Sequence, residues 1–304
     1  MRLDVALREP DGGRSYPETL ELAGEGPARG LIGALMALAA FFFAVPLVSQ
    51  LVLVIGWLLQ GRATGFTEYT TLASAYELPI GPLATQLALA SLIPICLLLV
   101  RYLHGLRPHW LVSVQPGWRW RYLVLCLVAA AVILNGVVWV SNLWAPVEFG
   151  PPQPGWQWFA LVIVLSSPLQ AAAEEFFFRG YLLQTLGSAA RNPWVGIVAT
   201  AVLFALLHGV QNPALFANRL AFGLLAGWLV LVTGGLEAGI AAHVINNLSA
   251  YGYGLVTGGV AALKATTELT WAQAGTDIAG FALVAVAAWW LGRALRVATI
   301  TPKP

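Results

Sequence analysis

The chain has 304 residues, of which 59% are hydrophobic and only 10% charged, with a mean hydropathy of +0.75. Soluble domains carry about 25% charged residues, so most of this chain is built for a solvent other than water. The scattered net charge of +2 argues against nucleic-acid binding, and the two cysteines, Cys96 and Cys126, lie in apolar runs without metal-ligand spacing, which excludes a disulfide framework.

The first thirty residues hold Asp4, Glu9, Asp11, Glu18, Glu21 and Glu25 and no apolar run. They are not a secretory signal peptide, which needs a basic start and a short apolar core. They read as a solvated, partly disordered tail over 1–29. A spanning helix needs about 20 mostly apolar residues. Eight runs qualify, at roughly 31–59, 83–103, 122–144, 157–186, 194–210, 215–233, 236–256 and 278–297. The expected fold is therefore an all-α, polytopic transmembrane helical bundle of about eight helices. Gly234-Gly235 is the turn between the sixth and seventh runs.

Cationic residues set the expected orientation. With the N-terminus inside, Arg2, Arg8, Arg14, Arg29, Arg101, Arg107, Arg119, Arg121, Arg191, Arg293, Arg296 and Lys303 are inside, against Arg62, Arg219 and Lys264 outside. That asymmetry follows the positive-inside rule and puts both termini in the cytoplasm. Trp118 and Trp120 at one end of the third run, and Trp144, Trp156 and Trp158 around the next loop, suit the two interfaces. The stretch from Arg101 to Arg121 reads as an inner-surface segment, with His104 and His109 interfacial. No repeat supports an inverted-repeat transporter.

Glu174 and Glu175 lie inside an apolar run. Ionisable groups at membrane depth cost from about 2.5 kcal/mol upward and are functional by default. Glu175 and Arg179 are four apart, acid first, and are expected to form a structural clamp on one helix face. Glu174 is about 100° away and is left unpaired by that clamp. His208 closes the fifth run and His243 lies on the seventh. His243 and Asn247 are one turn apart and can aim donors at one point, with Asn246 on a different azimuth. Ser166 and Ser167 precede the glutamates, but no Gly-x-Ser-x-Gly elbow supports a serine nucleophile.

Glu174-Glu175-x-x-x-Arg179, Phe204-x-x-x-His208 and His243-x-x-x-Asn247, in that order on successive apolar runs, resemble the CPBP intramembrane proteases. That family includes type II CAAX prenyl endopeptidases and lysostaphin-resistance-protein-A-like ("Abi") proteins. The resemblance covers roughly 157–256. It implies a helical bundle with a cavity open to the cytosolic side, in which Glu174 and His208 activate water and His243 and Asn247 stabilise the oxyanion. Glu175 and Arg179 match the rest of the first motif as supporting residues. The chain then divides into a tail (1–29), three N-terminal helices with the basic loop (30–155), a catalytic membrane core (156–260), and a last helix with a short tail (261–304).

The expected function is hydrolysis of a peptide bond in a membrane-associated, CAAX-like protein or peptide, in the cell membrane, with membrane lipid as the other partner and no nucleic acid. Desolvation makes an intramembrane carboxylate a better base near neutral pH. No metal is favoured. A Zn2+ ion on Glu174, His208 and His243 is the metalloprotease alternative, but there is no His-Glu-x-x-His helix. A non-catalytic membrane scaffold or regulator, and a proton-coupled transporter, are the competing classes. One difficulty remains in the order of elements. The fifth helix carries His208 about 20 Å from its start, whereas Glu174 reads as lying near the inner half of its own helix, so either the fifth helix begins deeper or residues 187–193 dip into the bundle.

Overall fold

The computed structural model describes residues 7–20 and 27–303; Arg2, Asp4, Glu21 and Glu25 of the leading segment lie outside the described residues. The described chain is helical, without named strands: α1 (Ala28–Leu59), α2 (Phe66–Ser74), α3 (Ile80–Ala90), α4 (Leu92–Tyr102), α5 (Trp120–Ser141), α6 (Trp156–Glu174), a π-helical segment (Glu175–Leu182), α7 (Leu183–Ala190), α8 (Pro193–Leu206), α9 (Pro213–Thr233), α10 (Glu237–Thr257), α11 (Val260–Lys264) and α12 (Trp271–Ala294). All eight apolar runs are helical. Six rods are long and apolar enough to cross a membrane: α1, α3 with α4, α5, α6 through α7, α9 and α12. The chain is a polytopic all-α bundle.

The two remaining runs fall short for different reasons. Helix α8 has only 14 residues. Helix α10 carries Glu237, His243, Asn246 and Asn247, and its first eight residues, Glu237 to Val244, are all buried. It packs against α5, α6 and α9, so protein rather than lipid surrounds its polar groups, as membrane polarity requires. The outer helices are inverted relative to a soluble protein. Phe43, Leu47, Val128, Val132, Val164, Leu165 and Trp290 are exposed, forming an apolar exterior suited to acyl chains.

Both described chain ends gather on one face. Thr301 donates from its backbone to the Arg14 carbonyl at 2.8 Å, and Arg8 donates to the Gly105 carbonyl at 2.8 Å. Tyr16 is fully buried and donates to the Leu111 carbonyl at 2.6 Å. Burial raises the Tyr16 hydroxyl well above its ordinary range, so it stays a donor. Where a solvated, partly disordered tail was expected, residues 7–20 pack on the bundle, because the aromatic ring has a core site to fill. His104 likewise is buried against the Tyr181 hydroxyl at 2.9 Å rather than interfacial.

On the same face, Arg119 clamps the Gly234-Gly235 turn. Its guanidinium donates to Glu237 at 2.6 and 2.9 Å and to the carbonyls of Thr233 and Ala298 at 2.6 and 3.1 Å. Gly234 has φ +69, and a side chain on Gly235 would collide with the Arg119 and Glu237 groups, so both glycines are required there.

Helices α7 and α8 turn at Arg191, which takes a left-handed φ of 52, and Asn192, whose side chain accepts from the Trp194 backbone ahead of Pro193. The long rod runs on from Trp156 to Ala190. Glu174 and His208 consequently lie seventeen residues before and seventeen after Arg191, roughly 25 Å along antiparallel helices. This levels the two residues without residues 187–193 dipping into the bundle. Close contact is set by Gly196, where any side chain would strike the Leu183 carbonyl.

Candidate active site

Glu174 ends α6 and Glu175 opens the π-helical segment. Wide helical turns of this kind are rare and concentrate at functional sites. Glu175 accepts from Arg179 at 3.1 Å, with both side chains fully buried. The guanidinium of Arg179 in turn lies 4.2 Å from the Phe204 ring centre, 5.4 Å from Phe222 and 5.7 Å from Phe178. The missing side chain of Gly223 leaves room for it. Desolvated cation–π contacts of this kind are worth about 2 kcal/mol.

The aromatic box carries the two imidazoles. Phe204 lies 4.4 Å from the His208 ring and 6.0 Å from His243, and Phe222 lies 5.0 Å from His243. His243 Nδ1 is 2.9 Å from Glu175 Oε1. Glu175, held by Arg179, can only accept, so the Nδ1 proton belongs to the histidine. The other face of that ring, Nε2, stands 3.5 Å from Glu174 Oε2. His208 Nδ1 lies 2.6 Å from the Phe204 carbonyl, which also only accepts. Both imidazoles therefore keep a lone pair on Nε2 when neutral.

Glu174 is buried, and its Oε2 has no hydrogen-bond partner among the described residues. A buried carboxylate oxygen without a donor marks a place for water or substrate. A cavity of about 200 Å³ lies beside it, lined by Phe204, His208, Phe222, His243, Asn246 and Asn247 among others. Five of the six expected residues sit as the motif spacing suggests: Glu175 and Arg179 form the clamp, and His208, His243 and Asn247 share the cavity. Glu174 is not in the cavity lining and meets it across His243.

Gln170 was missed by the sequence reading. One turn before Glu174, its Oε1 accepts from Asn247 Nδ2 at 2.9 Å and fixes that amide. The available signal was a lone amide four residues ahead of the acid in an apolar run. Asp277 was also missed. It lies on α12 and accepts from Asn218 at 3.0 Å beside the same cavity. The Ser166 hydroxyl lies between Gln86 Oε1 at 2.5 Å and the Val162 carbonyl of its own helix at 2.7 Å. Glu174 and His243 face each other at 3.5 Å, a separation that two ligands of one ion can have, but no three His, Cys, Asp or Glu side chains among the described residues are grouped as an ion site.

The fold and these residues define a multi-pass membrane protein with a buried Glu/His cluster. Residues 156–249 match the family described as type II CAAX prenyl endopeptidase, Rce1-like, so the resemblance carried by the three motifs is borne out over that segment. The chain is also similar to the uncharacterized protein YyaK of Bacillus subtilis (strain 168), 37% identical over 87 residues. That match covers 27% of this chain and spans only 29% of the length of the relative.

Two sequence expectations conflict once the cavity is located. Its outer continuation is rimmed by Tyr76, Val210, Lys264, Thr266 and Thr267, in the loops opposite the face that gathers both described ends. Termini in the cytoplasm and a cavity open to the cytosol are therefore mutually exclusive.

Proposed function

We propose that the protein is an intramembrane endopeptidase in which Glu174 takes the proton of an attacking water. The observation that carries this reading is the buried, donor-free Oε2 of Glu174, 3.5 Å from His243 Nε2 at the edge of a polar cavity inside an apolar bundle. The Rce1-like match over 156–249 supports intramembrane protease activity in general.

The hydrogen bonds distribute the work. His208, neutral with Nδ1–H spent on a carbonyl, accepts a water hydrogen at Nε2. His243 donates from Nε2 only when it is an imidazolium, because its other proton serves Glu175. A single proton shared by Glu174 and His243 neutralises the four-group cluster with Glu175 and Arg179. When that proton sits on His243, Glu174 is an ionised base and His243 is a cationic donor at once. The water oxygen then bonds the peptide carbonyl carbon, and its proton passes to Glu174. The oxyanion accepts from His243 Nε2–H and from the amide hydrogen of Asn247 that Gln170 leaves free. The C–N bond breaks, and Glu174 returns the proton to the leaving amine.

The substrate class is a membrane-associated protein or peptide. The positive-inside distribution supports an orientation with both termini in the cytoplasm, in which the mouth would face away from it and take substrate from the opposite side of the membrane. A prenylated CAAX-like substrate would require the opposite orientation.

The test is full-length protein reconstituted in lipid and challenged with a peptide library. Glu174→Gln should lower cleavage at least 100-fold, and chelator should leave the parent rate unchanged. Retained cleavage in the Gln variant removes the mechanism. A chelator-sensitive parent restores the zinc alternative on Glu174, His208 and His243.

A further inference from the structure

We propose that the rim of the site is a carboxylate-binding vestibule, in which Arg219 and Lys264 hold a negative charge of the peptide being cut. The inference rests on the proteolytic reading and names the substrate feature that the same site selects. The vestibule is a cavity of about 400 Å³ lined in part by Tyr76, His208, Arg219, Tyr251, Lys264 and Thr267. Small-ligand pockets begin at about 300 Å³, so a few peptide residues fit. His208 and Arg219 also line the inner cavity, so the two spaces adjoin at a proposed catalytic residue.

The charges in this rim are unmatched. Arg219 is half-buried, donates to Gln211 Oε1 at 2.7 Å and reaches the His208 carbonyl at 3.5 Å. Both acceptors are neutral. Lys264 stands 5.2 Å over the Tyr76 ring. No carboxylate forms an ion pair with either cation among the described residues, although Glu268 is four residues after Lys264. The fully buried Arg179 and the buried Arg119 are each answered by a glutamate. Two cations lacking that answer, converging on a cavity that leads to the site, are arranged for an incoming anion. A guanidinium fork fits a carboxylate through two parallel bonds. Lys264 is exposed, with its ammonium over a ring of the cavity wall. The carboxylate has two sources, a free C-terminus or an acidic side chain.

The full chain in zwitterionic nanodiscs would be given three forms of one cleavable peptide: free C-terminal acid, C-terminal amide, and amide with an Asp added on the C-terminal side. The acid should be cut with roughly tenfold higher kcat/KM than the amide, expressed in KM, and the Asp form tells which source is read. Lys264→Gln and Arg219→Gln should each bring the acid-to-amide ratio toward one, with Arg219→Lys keeping part of it. Equal cleavage of acid and amide by the parent, or an unchanged ratio in both Gln variants, overturns the vestibule. A defect that follows the anionic lipid content instead of the peptide assigns the cations to headgroup phosphate and overturns it as well. Should no peptide be cut, the proteolytic reading fails by itself. Binding of the same peptides to the Glu174→Gln protein then decides the vestibule, since acid forms must bind about tenfold tighter for it to stand.

Discussion

Glu175 is the residue on which the positions of the other site groups depend. It is fully buried, receives Arg179 at 3.1 Å and His243 at 2.9 Å, and so couples the aromatic box to the imidazole. Removing its cation leaves a buried charge unanswered, which costs about 3–5 kcal/mol. Arg179→Met should therefore lower the thermal midpoint in lipid sharply, and the double variant Glu175→Gln/Arg179→Met should recover much of the loss. A second prediction concerns Gln170. Asn247→Ala removes the proposed oxyanion donor and should lower kcat about 100-fold. Gln170→Ala only loosens that donor, so about tenfold is expected. Because both act through one amide, the double variant should be no worse than Asn247→Ala alone; additive losses would separate Gln170 from Asn247.

At the scale of elements, the π-helical segment and the tight α8–α9 crossing carry the site. Glu174 and Glu175 are adjacent in sequence and meet the two nitrogens of one imidazole, His243, where the rod changes winding. Helix α8 brings Phe204, with His208 in the turn that follows it, and α9 brings Phe222, so that the two neighbouring phenyl rings pack on Arg179. The crossing is close because a side chain on Gly223 would strike Ala201 and crowd Arg179. Gly223→Val should spread α8 from α9 and displace Phe204. Cleavage should fall at least tenfold while membrane insertion, measured by fractionation, is retained; undiminished cleavage would detach the crossing from the chemistry.

At the scale of the whole molecule, the two faces of the bundle differ in charge and in access. The described cations expected inside cluster with both described ends, whereas Arg219 and Lys264 ring the mouth. Native Cys96 and Cys126 are buried, so single surface cysteines can be read cleanly. In intact cells, Thr266→Cys should react with an impermeant maleimide and Lys303→Cys only after permeabilisation. The reverse pattern would place the mouth in the cytoplasm and reopen prenylated substrates.

How much of this was legible in the chain follows from the range of each interaction. Apolar run length and cation distribution are properties of local composition, so the eight helices could be read directly. The pairing of Glu175 with Arg179 needs only one helical turn, and it too was visible. The order of Glu174, His208, His243 and Asn247 along successive helices was enough to suggest a common site. Three features depended on contacts between distant segments. The Arg191 turn levels Glu174 with His208 because a rod longer than the bilayer folds back on a short helix. The choice of His243 as the partner of both glutamates comes from α10 packing against α6, and no spacing along one helix encodes it. Tyr16 is drawn out of an acidic leading segment because its ring fills a site made by the loop around Leu111. The residues decided which groups would leave water; only tertiary packing decided which of them meet, because burial is specified locally and partnership is not.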